Sequence, residues 1–498
     1  MNANVAKKNV LASLAYQALT VIYGLIVPQI VLRSFGSEVN GLVSSLNQFL
    51  NYISLLEGGL TGVILAALYK PLAVHDYKKV SGILNAANAF FKKLALIFGA
   101  YTIVLAIVYP LVVHTSFSWG YVFSLTIIIS LSLFVQYFFA LTYRILINAD
   151  QKGYIVYLIL MLFMVVNFLF TILVVCVWNE IHVLKLLSTI AFLIQPIAFN
   201  TYVKKHYPLD KNAPPDKEAL AQRWDGFSQN IAFFIHSNTD VVVLTLLGTL
   251  ADVSIYSVYM LVINALKMLV DAISSSLAPS LGNSLVTMSK DKSNEVFDSY
   301  EFGISFITVF IFTCGALLIT PFVGIYTKGI QDANYYQPLF GYLMMAAEGV
   351  YCFRDPYVNL AYISGKFKET AKYAYTECII NIILSVILVF RFGLIGVAIG
   401  TLVSMLYRMI AHIIYISKNI INRPIFKSLK CCVVSLFSVV ISSGLTILLV
   451  HRPITGYVTW IFNAICTAAI VMTTMLLISF FFYKSNLKKL IHVIFKIK

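Results

Sequence analysis

Long apolar runs follow one another from Val10 to Tyr483, and only short polar stretches separate them. Each is about 20 residues or more, enough for a helix to cross the hydrocarbon core of a bilayer. Membrane strands would be about ten residues long and alternate in polarity. These runs do not alternate. A soluble protein is about one quarter charged, whereas here only 11% of 498 residues are charged and 60% are hydrophobic. The chain is therefore expected to be an all-α polytopic membrane protein. Fourteen transmembrane helices are expected, at roughly 9–33, 41–68, 87–112, 120–147, 154–177, 183–204, 226–248, 253–283, 302–325, 336–363, 370–390, 393–416, 429–450 and 457–483.

The formal net charge is +15, a value that raises the question of nucleic acid. Its placement answers otherwise. With Lys7 and Lys8 on one side, about 28 of the 36 Lys and Arg fall on that same side. Arg33, Lys185, Lys328, Arg391 and Arg452 fall opposite. The bias predicts that both termini are cytoplasmic and that no nucleic acid is a partner. The first apolar run is too long for a secretory signal, and no small-residue cleavage pattern follows it. The seven Cys lie in or at spans without metal-ligand spacing, so they are expected to pack as small apolar residues.

The longest connector, about His206 to Asp225, holds Pro214-Pro215 and splits the first twelve spans six and six. Six is even, so the halves enter the membrane in the same orientation, as parallel repeats. The expected organisation is a six-helix lobe at 1–205, a cytoplasmic linker at 206–225 and a second six-helix lobe at 226–418. Two additional helices and a basic tail occupy 419–498. The restart is visible in sequence: Gln17 meets Gln229, Val31-Leu32 meets Val243-Leu244, and Gly36 meets Gly248. After a two-residue insertion, Val39 meets Val253 and Leu56-Glu57 meets Val270-Asp271. The tail from Tyr483 reads either as a basic amphipathic helix on the anionic inner leaflet or as a solvated end. Pro28, Pro196, Pro279, Pro321 and Pro356 fall inside spans, where each removes a backbone hydrogen bond and invites a kink.

An ionised group at mid-bilayer costs roughly 2.5–3.5 kcal/mol on insertion scales. Glu57, Asp240, Lys267, Asp271, Glu348, Arg354, Asp355, Glu377 and Arg408 lie at or near mid-span. Facing lipid, their sum would exceed any plausible folding stability, so they are expected to face a partly wet interior. Arg354 is the candidate for an anionic group, because guanidinium matches phosphate geometry; the alternative is an ion pair with Glu348 or Asp240. Lys267 and Asp271, four apart on one helix, are expected to neutralise each other. Arg144 and Arg408 lie nearer the basic-side ends and are candidates for a phosphate entry patch. Asp240, Glu57 and Asp271 are candidates for coupling to H+ or Na+, although Asp240 could instead hold Asn238 and neighbouring helices. His236 is expected to be a packed polar residue. Asn47 and Asn51 share one helical face, an arrangement that suits either sugar hydroxyls or interhelical bonding. No cofactor is expected.

Several stretches carry a resemblance. They are Phe35-Gly-Ser-Glu-Val-Asn-Gly-Leu-Val-Ser-Ser-Leu-Asn-Gln-Phe-Leu50, Leu56-Glu-Gly-Gly-Leu60 and Tyr69-Lys-Pro-Leu72. Asn148-Ala-Asp-Gln-Lys-Gly-Tyr154 and Asn238-Thr-Asp-Val-Val-Val-Leu244 add to them. A last block runs from Gly365-Lys-Phe-Lys-Glu-Thr370 through Glu377, Asn381, Gly393, Gly396, Gly400-Thr401 and Arg408. Together they resemble the Wzx-type polysaccharide flippases of the multidrug/oligosaccharidyl-lipid/polysaccharide exporter superfamily. The resemblance implies a bacterial plasma-membrane transporter that moves a lipid-linked oligosaccharide, usually on undecaprenyl pyrophosphate, by alternating access. It implies membrane lipids and the polysaccharide polymerase machinery as partners. Sugar and pyrophosphate would sit among Arg354, Lys267, Asn47 and Asn51, with the prenyl tail in the bilayer. The rival within the superfamily is a cation-coupled drug antiporter, which acidic groups such as Asp240 would suit. A polymerase or glycosyltransferase would need catalytic loops outside the membrane. The outer loops here are a few residues long, so no enzyme is expected.

Overall fold

A backbone in lipid must satisfy its own polar groups, and a helix does so within one segment. In the computed structural model, which describes residues 3–57, 60–216, 218–219 and 238–488, every regular element is helical. The first unit contains α1 (Ala3–Leu50), α2 (Ile53–Glu57), α3 (Leu60–Ala73), α4 (Tyr77–Val112) and α5 (Trp119–Val135). A π-turn at Gln136–Ala140 leads into α6 (Leu141–Ala149), followed by α7 (Gly153–Val177), α8 (Ile181–Phe192) and α9 (Ile194–His206). Next come α10 (Asn238–Leu247) and α11 (Leu250–Thr287). The second unit continues with α12 (Lys290–Tyr326), α13 (Pro338–Phe353), α14 (Asp355–Ile363), α15 (Phe367–Phe392), α16 (Leu394–Asn419), α17 (Ile425–Leu449) and α18 (Tyr457–Phe482).

The expected spans map onto these helices, with breaks that hydropathy does not mark. The first span and the outer part of the second join into α1, and the chain turns at Gly36, whose φ of 81° and ψ of 176° suit only glycine. The fourth span is interrupted by the π-turn and the tenth by Arg354. The sixth and tenth breaks fall just before Pro196 and Pro356, which cannot donate to the preceding turn. Pro28, Pro279 and Pro321 stay inside continuous helices. The seventh span is described from Asn238 onward, so Gln229 and His236 lie outside the described residues, as does the tail beyond Lys488.

Packing is inverted relative to a soluble protein. Helix α17 buries Ser428, Ser438, Ser442 and Thr446 and exposes Leu429, Val433, Leu436 and Val440. Small hydroxyl side chains let helices approach closely where lipid supplies no hydrophobic drive between them. Trp460 of α18 donates to the Leu318 carbonyl of α12 at 3.1 Å, fastening the last helix to the second unit.

The compact units are Met1–Ser254 and Ile255–Lys498. The start of the connector belongs to the first. Asn85 of α4 donates to the carbonyls of Asp210, Lys211 and Ala213, Ser81 accepts from the Asp210 amide, and the Asp216 amide reaches the Gly82 carbonyl. Burial and then the Asp150 carboxylate push the Tyr207 phenol well above its ordinary range. Residues 238–254, which the sequence analysis groups with the second lobe, pack within the first unit against α1. Asn40 donates to Ser254 and Ser45 shares a hydrogen bond with Thr245, each at 2.8 Å, while Gln48 donates to Asn238. At the centre of this seam, a Cβ on Gly41 would lie 1.8 Å from the Leu250 carbonyl oxygen. Gly41→Ala is expected to cost about 2 kcal/mol by overpacking, read as a lower thermal midpoint in detergent while Gly62→Ala, in open space, leaves it unchanged.

Candidate functional site

In the second unit the charges gather around the break in the tenth span. Glu377 of α15 is fully buried, and two guanidinium groups bind it: Arg354, at the break, on one carboxylate oxygen and Arg408 of α16 on the other, the latter at 2.5 Å. Arg354 is 3% exposed and Arg408 8%. Charges this deep survive only when closely paired and hydrogen-bonded. Lys267 of α11 bonds Glu348 of α13 at 2.9 Å and lies 3.5 Å from the centre of the Tyr351 ring. Arg354 lies 4.5 Å from the same ring centre. Tyr351 therefore holds both cations through its electron-rich face. Asp355 accepts from Ser274, which with Tyr300 and Asn359 forms a hydroxyl and amide chain joining α11, α12 and α14.

Three expectations are corrected here. Arg354 takes Glu377 as its partner, and Glu348 is occupied by Lys267. The ammonium of Lys267 reaches across to α13, so its ion pair is with Glu348 and not with Asp271 on its own helix. Arg408 is buried against Glu377, because α16 turns it toward α15. The half-buried Arg144 on α6 makes no ion pair among the described residues.

In the first unit Asn47, near the end of α1, and Asn51, just beyond it, are exposed. Asp240 on α10 is buried. Glu57 closes α2 and accepts from the Thr61 hydroxyl at 2.5 Å and from the Tyr137 hydroxyl, on the π-turn, at 3.3 Å. π-Turns inside helices frequently mark functional positions.

A second buried ionic node escaped sequence reasoning. Glu301 on α12 accepts from Arg423, from Ser428 of α17 at 2.8 Å and from Tyr357 of α14. Arg423 also pairs with Asp298 at 2.8 Å. Glu301 sits at the edge of a span and Arg423 in a turn, positions where sequence reasoning assigns charges to the surface.

Behind α13 lies an apolar cavity of about 600 Å³, walled by α12, α13, α16 and α17. Met345, Gly349, Val350 and Phe353 line it. The same helix carries Glu348, Tyr351 and, at its end, Arg354 into the ionic cluster. One helix thus separates an oily space from a charged one.

No protein-family model and no curated protein matches the chain. Solved structures do match in fold. The lipid II flippase MurJ in an inward closed conformation superposes with a TM-score of 0.69 at 14% identity, covering 96% of this chain and 98% of that one. An inward-facing MATE-family multidrug transporter of the MOP superfamily gives 0.61 at 16% identity, covering 80% and 95%. The MATE multidrug transporter DinF-BH gives 0.59 at 14% identity, covering 84% and 96%.

Removing the shared carboxylate tests the cluster. Glu377→Gln is expected to leave two buried guanidinium groups short of a counter-charge and to cost about 3–5 kcal/mol, seen as a large drop in thermal midpoint. Glu369→Gln, with its exposed ion pair, is expected to leave the midpoint unchanged. The chain shares the fold of the lipid II flippase and of the multidrug transporters, an all-α polytopic membrane architecture.

Proposed function

We propose that the protein is a flippase that carries a lipid-linked oligosaccharide, of the undecaprenyl-pyrophosphate type, across the bacterial plasma membrane by alternating access. The observation that carries this reading is α13, with the apolar cavity on one side and the cations Lys267 and Arg354 held on Tyr351 at the other. A lipid-linked sugar has the same two-sided chemistry. Its anionic head cannot cross hydrocarbon unaided, and its prenyl chain is at home there. Arg354 and Arg408 share Glu377, so they set a rigid cationic wall, and Lys267 is the more open cation for the pyrophosphate. Asn47 and Asn51 offer amides to sugar hydroxyls. Arg144 is assigned to entry of the head group. The fold shared with a lipid II flippase supports the reading, as does the resemblance to polysaccharide flippases. Both termini are placed in the cytoplasm by the basic bias.

A cation-coupled drug antiporter is the second reading, favoured by the buried Asp240 and the acid Glu57 in the first unit. The cations beside Tyr351 oppose it.

In proteoliposomes, the wild-type chain is expected to move a fluorescent undecaprenyl-pyrophosphate oligosaccharide. Lys267→Gln is expected to slow this at least about tenfold, the loss of one charge-assisted contact. Ser435→Trp, which fills the cavity from α17, is expected to slow it comparably at unchanged protein level. Wild-type protein that exports a cationic dye and leaves the lipid-linked sugar in place would establish the antiporter instead. Asp240→Asn is expected to remove the dependence of flipping on an H+ or Na+ gradient; an unaltered dependence takes Asp240 out of coupling.

A further inference from the structure

Where α17 turns into α18, a second cavity of about 330 Å³ opens. Its lining changes character along its length. His451 and Arg452 come from the turn, and Leu449, Val450, Ala469 and Ile470 supply apolar wall. From Asn463 to Ile470 the helix advances about 10 Å, so the lining runs from polar at the turn to apolar within the span. Leu449 and Ala469 are exposed, which leaves the cavity open at the surface of the helix pair. It shares no residue with the cavity behind α13 or with the cluster at Tyr351.

The turn is held against α18. Asn463 Nδ2 donates to the Arg452 carbonyl at 3.1 Å, and the Thr459 hydroxyl accepts from the Thr455 and Gly456 amides at 3.0 and 3.1 Å. The Arg452 guanidinium lies 4.5 Å from the centre of the Phe462 ring, a stacking that leaves its N–H edge able to donate. Arg452 makes no ion pair among the described residues, and none of the side chains lining the cavity is acidic. Asn463 is 2% exposed, and its Oδ1 accepts no hydrogen bond among the described residues. A buried acceptor left without a donor is costly. Set in the wall of a cavity beside a cation, it calls for a ligand that is anionic and also brings a donor.

We infer that this cavity binds one phospholipid of the surrounding bilayer through an anionic phosphodiester headgroup that carries hydroxyls, the chemistry of phosphatidylglycerol. The phosphate oxygens accept from Arg452. A headgroup hydroxyl donates to Asn463 Oδ1. The start of an acyl chain lies along Leu449, Ala469 and Ile470. A headgroup with an ammonium, as in phosphatidylethanolamine, would bring a second cation beside Arg452 with no carboxylate to receive it. The volume is at the low end for a ligand site, enough for a headgroup and too small for a helix of a partner protein. The site holds or fails independently of which cargo the protein moves.

Native mass spectrometry of the full-length protein released from detergent counts bound lipids directly. With added lipid, one phosphatidylglycerol is expected to be retained at least about tenfold more tightly than phosphatidylethanolamine, the effect of one charge-assisted hydrogen bond. Arg452→Gln is expected to abolish that preference. Ala469→Trp, which fills the cavity from an exposed position and leaves the turn's hydrogen bonds in place, is expected to do the same. Lys328→Gln, at an exposed cation in another turn, is expected to keep it, and excess inorganic phosphate is expected to leave the lipid bound. Equal retention of the two lipids overturns the assignment, as does a preference that survives Arg452→Gln or Ala469→Trp. Displacement of the lipid by inorganic phosphate overturns it as well, since the cavity would then be a site for a free anion.

Discussion

A carboxylate sealed from water holds the second unit's interior together. Glu377 binds Arg354 and Arg408 at once, and so ties the break in the tenth span to α15 and α16. In a low dielectric, a lone charge costs far more than a surface ion pair returns. The geometry of the whole cluster follows from that asymmetry. Arg354 has to stay on Glu377, Lys267 has to reach Glu348, and Tyr351 lies against both cations. The hydroxyl and amide chain of Ser274, Tyr300 and Asn359 extends the same requirement to α12.

This pairing fixes how charge is arranged around Tyr351. With both arginines committed to Glu377, the cluster is a fixed and largely self-neutralised arrangement of charges. The apolar cavity on the other side of α13 is lined by side chains that need no partner. In the first unit Glu57 accepts from the Thr61 and Tyr137 hydroxyls.

The node at Glu301 shows how the last two helices are joined to this core. Arg423, Ser428 and Tyr357 converge on one buried carboxylate from a turn, α17 and α14. Through Glu301, α14, which begins at the charged break, is joined to the start of α17. The small-residue face of α17 and the Trp460 bond of α18 complete the attachment.

Hydropathy by itself determined the helical class, the span positions and the presence of charges that could not face lipid. Each of these depends on residues close in sequence: twenty apolar residues in a row must span, and an ionised side chain among them must find shelter. Tertiary structure alone decided the partners. Which way a helix rotates about its axis is set by the neighbours it packs against, and that rotation gave Arg354 to Glu377, Lys267 to Glu348 and Arg408 to the interior. Glu301 and Arg423 stayed hidden because 122 residues separate them and each, taken alone, reads as a surface charge. The π-turn at Tyr137 is equally silent in sequence, since one extra backbone residue in a turn leaves hydropathy unchanged while it redirects a side chain.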